Sequence, residues 1–352
     1  MNHKVHPMNP RMIIPASAAA CLLVSSALGV AAGAAEKTAG YQVLATHVLG
    51  GEGGWDLLAV DAAARRIYLS RATRTMVVDA DNGKLVGEIP GAGVHGIAVV
   101  PDTNRGFITN GKSDSVTIFD LTTMAVIGQV KAGKKPDAVI YDPASRHIFV
   151  CNNGGTDLTV LSPTDGQVQA TIEVGGVPEL LALDGGHLYT NLEDKDEVAS
   201  VDTKTLMLAA HWPLAPGKGP TGLACDAEHH RLFSACRESR TMQVLDIDSG
   251  KVIASLPIGA GADGAVYDPI ARDLFCPNGD GTLSVIHEET PATFSVVQTV
   301  VTKPGARTIA FDEKTRHLIL VTAEAKPTAE DGQKRARPQY LPDTFSMLVV
   351  GH

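Results

Sequence analysis

Seven times in this chain a short apolar run ends in an aspartate, at Asp61, Asp102, Asp142, Asp184, Asp226, Asp268 and Asp312. The gaps between neighbours are 41, 40, 42, 42, 42 and 44 residues. The stretch "PDAVIYDPASRHIFVCNN" from Pro136 returns almost verbatim as "ADGAVYDPIARDLFCPNGDG" from Ala262. A repeat of that length without helical periodicity describes a small sheet that cannot bury its faces alone, so the copies must stack around a common axis. Each copy divides into four apolar runs separated by Gly, Asp and Asn. In the third they are "DAVIY" (strand a), "HIFVC" (b), "DLTVL" (c) and "QVQATIEV" (d). β-Branched residues and alternation favour strands over helices, and 35 glycines supply the turns between them.

The seventh copy starts at Arg307 and finishes with "TFSMLVVGH", a strand c with nothing left for strand d. The missing piece is at the other terminus, where "YQVLATHVLGG" (Tyr41 to Gly51) echoes "GQVQATIEVGG" (Gly166 to Gly176). The expected fold class is therefore all-β: a seven-bladed β-propeller of four-stranded antiparallel blades, closed by the N-terminal strand joining the last blade. A basic or imidazole side chain follows each repeated aspartate: Arg65, Arg105, Arg146, His187, Arg231, Arg272 and Arg316. The aspartate is expected to accept hydrogen bonds from its own turn and the cation to pair with it, so the seven aspartates are read as structural.

Residues 1–34 differ from the rest. Lys4 and Arg11 precede an uncharged apolar stretch, Met12 to Gly33, and Ala32-Gly33-Ala34 offers a cleavage site. This reads as a secretory signal peptide, leaving 35–352 as one propeller domain, periplasmic or secreted, monomeric and without a membrane span after cleavage. The formal charge of -9 becomes -11 once Lys4 and Arg11 are lost (-9 minus 2), which argues against nucleic acid as a partner. Cys151, Cys225, Cys236 and Cys276 fall within apolar strands and form no CxxC, so they are expected to be buried free thiols.

The stretch "GVHGIAVVPDTNRGFITNGKSDSVTIFDLTTMAVIGQV" resembles the YVTN-type repeat of the YncE-like β-propeller family, whose signature appears as "FITN", "FVCN" and "LYTN". Two copies depart from it, "YLSR" and "FSAC", placing Arg71 and Cys236-Arg237 near where the others keep Asn. The resemblance covers nearly all of the mature chain. It implies an exported bacterial propeller with no fixed catalytic motif.

Local motifs point to turns. "GAGVHG" (Gly91 to Gly96) and "GAGADG" (Gly259 to Gly264) match GxGxxG, but they lie in d-to-a loops and lead into strands, so no helix N-terminus awaits a pyrophosphate. "DADNGK" and "DIDSGK" open like calcium loops but lack the later Glu and sit at c-to-d hairpins. No nucleophile elbow, Walker loop or HExxH is present.

The informative constellation is non-local. Asp56, His95, Asp137, Glu179, Thr221, Asp263 and Arg307 hold matching places at the start of strand a, the innermost strand. They are expected to ring one mouth of the central channel. The ends of strands b would add Arg71, Asn110, Asn152, Asn153, Asn191 and Asn278. The set reads either as a ligand site or as the wall of a water-filled tunnel. Its carboxylates Asp56, Asp137, Glu179 and Asp263 are candidate ligands for a divalent cation, against which Arg307 and a protonated His95 would act. The segment Thr322 to Thr344 breaks the repeat between strands b and c of the last blade. It is a candidate lid carrying Lys334, Arg335, Arg337 and Tyr340, or a flexible tether. With Lys131, Lys134, Lys135 and Lys218 it would give this face a basic rim.

The leading expectation is a binding or scaffold module that recognises a small molecule or protein partner on this face. The alternative is a metal-dependent, lactonase-like hydrolase with a cation held by those carboxylates and His95 carrying protons. A redox role is third, since no haem or quinone attachment motif is present.

Overall fold

The computed structural model describes residues 40–326 and 339–352. The leader assigned to 1–34 and the lid residues Lys334, Arg335 and Arg337 lie outside them. Strands group into seven four-stranded antiparallel sheets. In the first blade strands a to d are Trp55–Asp61, Arg66–Arg71, Arg74–Asp79 and Leu85–Pro90. Strands a of the next four blades are Val94–Val100, Pro136–Asp142, Pro178–Asp184 and Pro220–Asp226; those of the sixth and seventh are shorter, Val266–Asp268 and Ile309–Asp312. The last sheet is ordered Gln42–Val48, Ser346–Gly351, His317–Thr322, Ile309–Asp312, so the N-terminal strand closes the ring. Gln42 pairs with Gly351 and Val48 with Ser346, antiparallel. Among the described residues no helix is long and apolar enough to cross a membrane.

Burial follows strand position. Strands b and c have blades on both faces and are buried along most of their length, as in Ile148, Phe149, Val150 and Cys151, all at 0% exposure. Strand d lies at the rim and alternates, as in Val126–Lys131. The core is not one mass but a series of seams between neighbouring sheets. In one, Phe149, Cys151 and Leu158 of the third blade meet Leu188, Leu192 and Ala199 of the fourth. Each fully buried Leu or Phe contributes about 2 kcal/mol, so the seams carry most of the stability.

Cys151, Cys225, Cys236 and Cys276 are free thiols within these seams. Burial pushes Cys225 and Cys236 up to about 12. A thiol reagent is expected to leave Cys151, Cys236 and Cys276 unmodified in native protein and to label all three after denaturation, read by mass spectrometry. Rapid native labelling at those sites would contradict the packing.

The turn aspartates behave as expected in part. Asp61 Oδ1 accepts from the amide of Ala64 at 2.8 Å, Asp268 Oδ1 from Ile270 at 3.0 Å, and Asp142 from Ala144 and Ser145. The cation, however, does not pair within its own hairpin. Arg65 reaches Asp312 of the preceding blade at 2.8 Å, Arg316 reaches Asp268 at 2.6 Å, and His230 reaches Asp184 at 2.9 Å. The reason is backbone geometry. Arg65, Arg146, His230, Arg272 and Arg316 occupy the left-handed position of the turn, with φ between 54° and 60°, which aims the side chain sideways. Arg105, His187 and Arg231 instead begin strand b, one residue beyond that position. At these three seams the device therefore rivets blades together rather than fastening one hairpin.

Candidate functional site

Strand a carries the same irregularity in five consecutive blades. Its pairing register shifts between Trp55 and Leu58, Val94 and Ile97, Pro136 and Val139, Pro178 and Leu181, and Pro220 and Gly222. A bulge leaves residues unpaired and turns their side chains away from the pleat. Asp56, His95, Asp137, Glu179 and Thr221 are the residues it holds. In the sixth and seventh blades pairing starts only at Val266 and Ile309, so Asp263 and Arg307 precede the ladder altogether.

Six of the seven ring residues line one cavity of about 710 Å³ at the channel mouth: Asp56, His95, Asp137, Glu179, Asp263 and Arg307. Leu57 and Leu180 belong both to its floor and to the channel below, which is otherwise mainly apolar. Thr221 is not in the wall. It is 1% exposed and its hydroxyl donates to the carbonyl oxygen of Ala262 at 2.9 Å, tying the fifth blade to the sixth. Thr308 does the same from the seventh blade to Asp56 O, at 2.8 Å.

The amides at the ends of strands b turn inward as well. Asn110, Asn152, Asn191 and Asn278 are all at 0% exposure. Asn110 Nδ2 donates to Thr117 at 2.9 Å, Asn152 to Thr159 at 2.9 Å, and Asn278 to Ser284 at 3.1 Å, each pinning its own blade. Asn191 donates to the carbonyls of Thr221 and Gly222 in the next blade. Arg71 is also buried, on the closing segment rather than at the mouth.

The residues that do reach the cavity from this side lie one position past the last residue of strand b, which is Asn152, Leu192 or Cys236. Asn153, Glu193 and Arg237 each follow the end of a strand b. Because side chains alternate along a strand, a slip of one residue exchanges the buried face for the open one. Asn153 was legible as a ring member and Arg237 as a departure from the repeat, but Glu193 was missed. The signal for it was the strand period. Tyr340 also lines the cavity, tilted against Trp55 with ring centroids 4.5 Å apart, and so does Lys135.

Within the cavity the charges form three groups. His95 Nδ1 lies 2.5 Å from Asp56 Oδ2 and 3.5 Å from Asp137 Oδ1. Asp263 is held between Arg307, at 2.7 Å, and Arg237, at 3.4 Å, and Arg237 also pairs with Glu193. Glu179 accepts from Asn153 Nδ2 at 3.0 Å. The four carboxylates considered for a cation therefore do not converge: Asp263 is neutralised by two guanidiniums and Glu179 belongs to another group. Among the described residues, Asp56, His95 and Asp137 alone present ligand atoms within 4.8 Å of one another at this mouth.

Burial pushes the Asp137 carboxyl up to about 6, helped by the neighbouring Asp56 charge. Burial likewise lifts Glu179 to about 9, with Asp137 and the facing Glu193 carboxyl adding to the rise. Burial pulls the His95 imidazole down, but its hydrogen bond to Asp56 and the charge of Asp137 outweigh that, and the net shift is upward. Glu179, raised above its unfolded value, contributes stability that is full below about pH 4.5 and is lost as pH climbs toward 9. Glu179→Gln is expected to flatten that slope and to gain about 2 kcal/mol at pH 9 over the wild type, read from urea midpoints at pH 5, 7 and 9. Equal slopes in the two proteins would contradict the assignment.

No protein-family profile matches the chain, and no curated protein does. Among solved structures it is similar to a chain of Kuenenia stuttgartiensis hydrazine synthase. The identity is 16%, 67% of this chain and 96% of that one are covered, and the TM-score is 0.49. The architecture is established by the strand order itself: this is a seven-bladed β-propeller.

Proposed function

We propose that the protein is an exported, YncE-like binding propeller whose channel mouth holds a small polar molecule bearing a cationic group such as an amine. One observation carries the reading. A cavity of about 710 Å³ sets five carboxyl groups, Asp56, Asp137, Glu179, Glu193 and Asp263, against only three permanent cations, Lys135, Arg237 and Arg307. That volume suits a small molecule. The excess of carboxyls favours a positive charge, most fully once Glu179 gives up its proton, and the tilted Trp55–Tyr340 pair at the wall offers an aromatic face to it. Asp263 paired with Arg307, and Glu179 held apart by Asn153, weigh against a metal-dependent, lactonase-like activity built on the four carboxylates. The uncharged apolar stretch Met12 to Gly33 supports export, and expression with cell fractionation is expected to yield a mature chain beginning near Ala35.

The ligand class is tested by a thermal-shift panel of small amines, dicarboxylates, neutral sugars and divalent cations. Amines are expected to raise Tm, more at pH 8 than at pH 5, because deprotonation of Asp137, raised to about 6, deepens the negative potential. The Asp137→Asn/Glu179→Gln variant is expected to lose at least tenfold in affinity. Stabilisation by dicarboxylates but not by amines would overturn the reading, and so would an unaffected variant.

A further inference from the structure

At the end of the ring opposite the mouth, the blade-to-blade rivet seen at three seams gives way to a different contact between the fifth and sixth blades. By the pattern of Arg65–Asp312 and Arg316–Asp268, Arg272 of the sixth blade would reach Asp226 of the fifth. Instead its Nη2 lies 3.6 Å from Glu288 Oε1, and its Nε and Nη2 make no hydrogen bond among the described residues. Glu288 arrives there because the c–d hairpin of the sixth blade is longer than the others. Its strands, Thr282–Thr290 and Thr293–Val301, have nine residues each, against six in Thr241–Asp246 of the fifth blade. Arg231 anchors the tip through its Nε to the carbonyl oxygen of Pro291, at 2.6 Å.

The result is a cluster of two carboxylates and one imidazole. His229 Nδ1 lies 2.5 Å from Asp226 Oδ2 and 3.5 Å from Glu288 Oε1, and the three ligand atoms fall within 4.8 Å of one another. Asp226 is 2% exposed and Glu288 1%. Tyr267 donates to Glu288 Oε2 at 2.6 Å and the amide of Glu228 to Asp226 Oδ1 at 3.0 Å, so the outer oxygens are satisfied and oriented. Glu288 Oε1 is buried, aimed into the cluster and without a hydrogen bond among the described residues. Two inward carboxylate oxygens with their partners on the far side, and an imidazole nitrogen facing both, are what a metal centre needs around its ligands.

We infer that Asp226, His229 and Glu288 form a binding site for a first-row divalent transition ion such as Zn²⁺, stapling the fifth blade to the sixth. Bonds of about 2.0–2.2 Å hold neighbouring ligand atoms roughly 3–3.5 Å apart, close to the His229–Glu288 separation. The His229–Asp226 contact opens as the ion takes the place of the proton between them. One imidazole and only three protein ligands favour such an ion over Ca²⁺ or Mg²⁺, which prefer more numerous oxygen ligands. A dication also compensates Asp226 and Glu288, both almost wholly shielded from water, of which only Glu288 has a guanidinium nearby, that of Arg272 at 3.6 Å. The site is independent of the ligand proposed at the mouth.

The test is titration of the full chain with Co²⁺, read by visible absorption, and with Zn²⁺, read by Tm. Saturating Zn²⁺ is expected to raise Tm by about 5 °C. His229→Asn and Glu288→Gln are expected to weaken Co²⁺ binding at least tenfold, whereas His95→Asn and Asp137→Asn leave it unchanged. His229 is partly exposed, so its variant is expected to fold as judged by circular dichroism, and the wild-type Tm shift needs no variant. Absence of Co²⁺ and Zn²⁺ binding at about 1 mM metal would overturn the assignment. Binding that survives both His229→Asn and Glu288→Gln would overturn it equally, and so would binding lost only with the mouth variants.

Discussion

A chain that lacks the strand Gln42–Val48 is expected to aggregate and to show no cooperative unfolding transition. That strand is the outer member of the last blade and pairs along the whole of Ser346–Gly351, a strand whose Leu348 and Val350 are fully buried. Just before it, Tyr41 donates to Asp273 at 2.9 Å, exchanges two hydrogen bonds with Gln298 and packs edge-on against Phe275 at 4.8 Å. The segment thus joins the seventh blade to the sixth as well as completing its own sheet. Its removal leaves an apolar sheet edge open to other chains and breaks the ring at its only non-consecutive junction. Size-exclusion chromatography and calorimetry of the truncated protein check this. A monomer with unchanged Tm would contradict the closure.

The second large effect is expected from Arg71→Met. The Arg71 side chain is 1% exposed, its guanidinium lies 3.7 Å from the centroid of Phe345, and it donates to the carbonyls of Gly50, Gly51 and Gly53. These partners are the loop that follows the closing strand and the residue that precedes its neighbour Ser346–Gly351. No carboxylate pairs with it among the described residues, and burial, together with nearby Arg74, lowers it to about 10. The carbonyls supply the compensation that a carboxylate normally would. Met fills the volume but leaves three acceptors unpaired, at a cost of about 4 kcal/mol and a fall in Tm of roughly 8 °C. A change below about 1 kcal/mol would mean that the loop re-solvates freely.

The ring was legible because its parts repeat. The aspartate period set the number of blades, and the echo of "GQVQATIEVGG" in "YQVLATHVLGG" located the closing strand. The strand a positions of Asp56, His95, Asp137 and Glu179 could be aligned by counting, although the bulge that turns them to the cavity leaves no mark in their spacing. Strand b was harder. Its asparagines looked like channel residues because they recur, yet Asn110, Asn152 and Asn278 pin their own blades and Asn191 ties its blade to the next, while the open positions lie just past the strand at Asn153, Glu193 and Arg237. The turn cations were assigned to their own hairpins because nothing in a linear repeat distinguishes an internal partner from the same residue one blade earlier. Glu288 was invisible for a related reason: only the longer hairpin carries it to Asp226 and His229.

The most direct test of the channel-mouth reading is calorimetry of amine binding at pH 7 in two buffers of different ionisation enthalpy. With Glu179 raised to about 9, it carries its proton at that pH. A cation entering beside Glu179 and Glu193 is expected to expel that proton, so that close to one proton per ligand is released in the wild type and none in Glu179→Gln. Binding without proton release in either protein, or no binding of any amine, would contradict it.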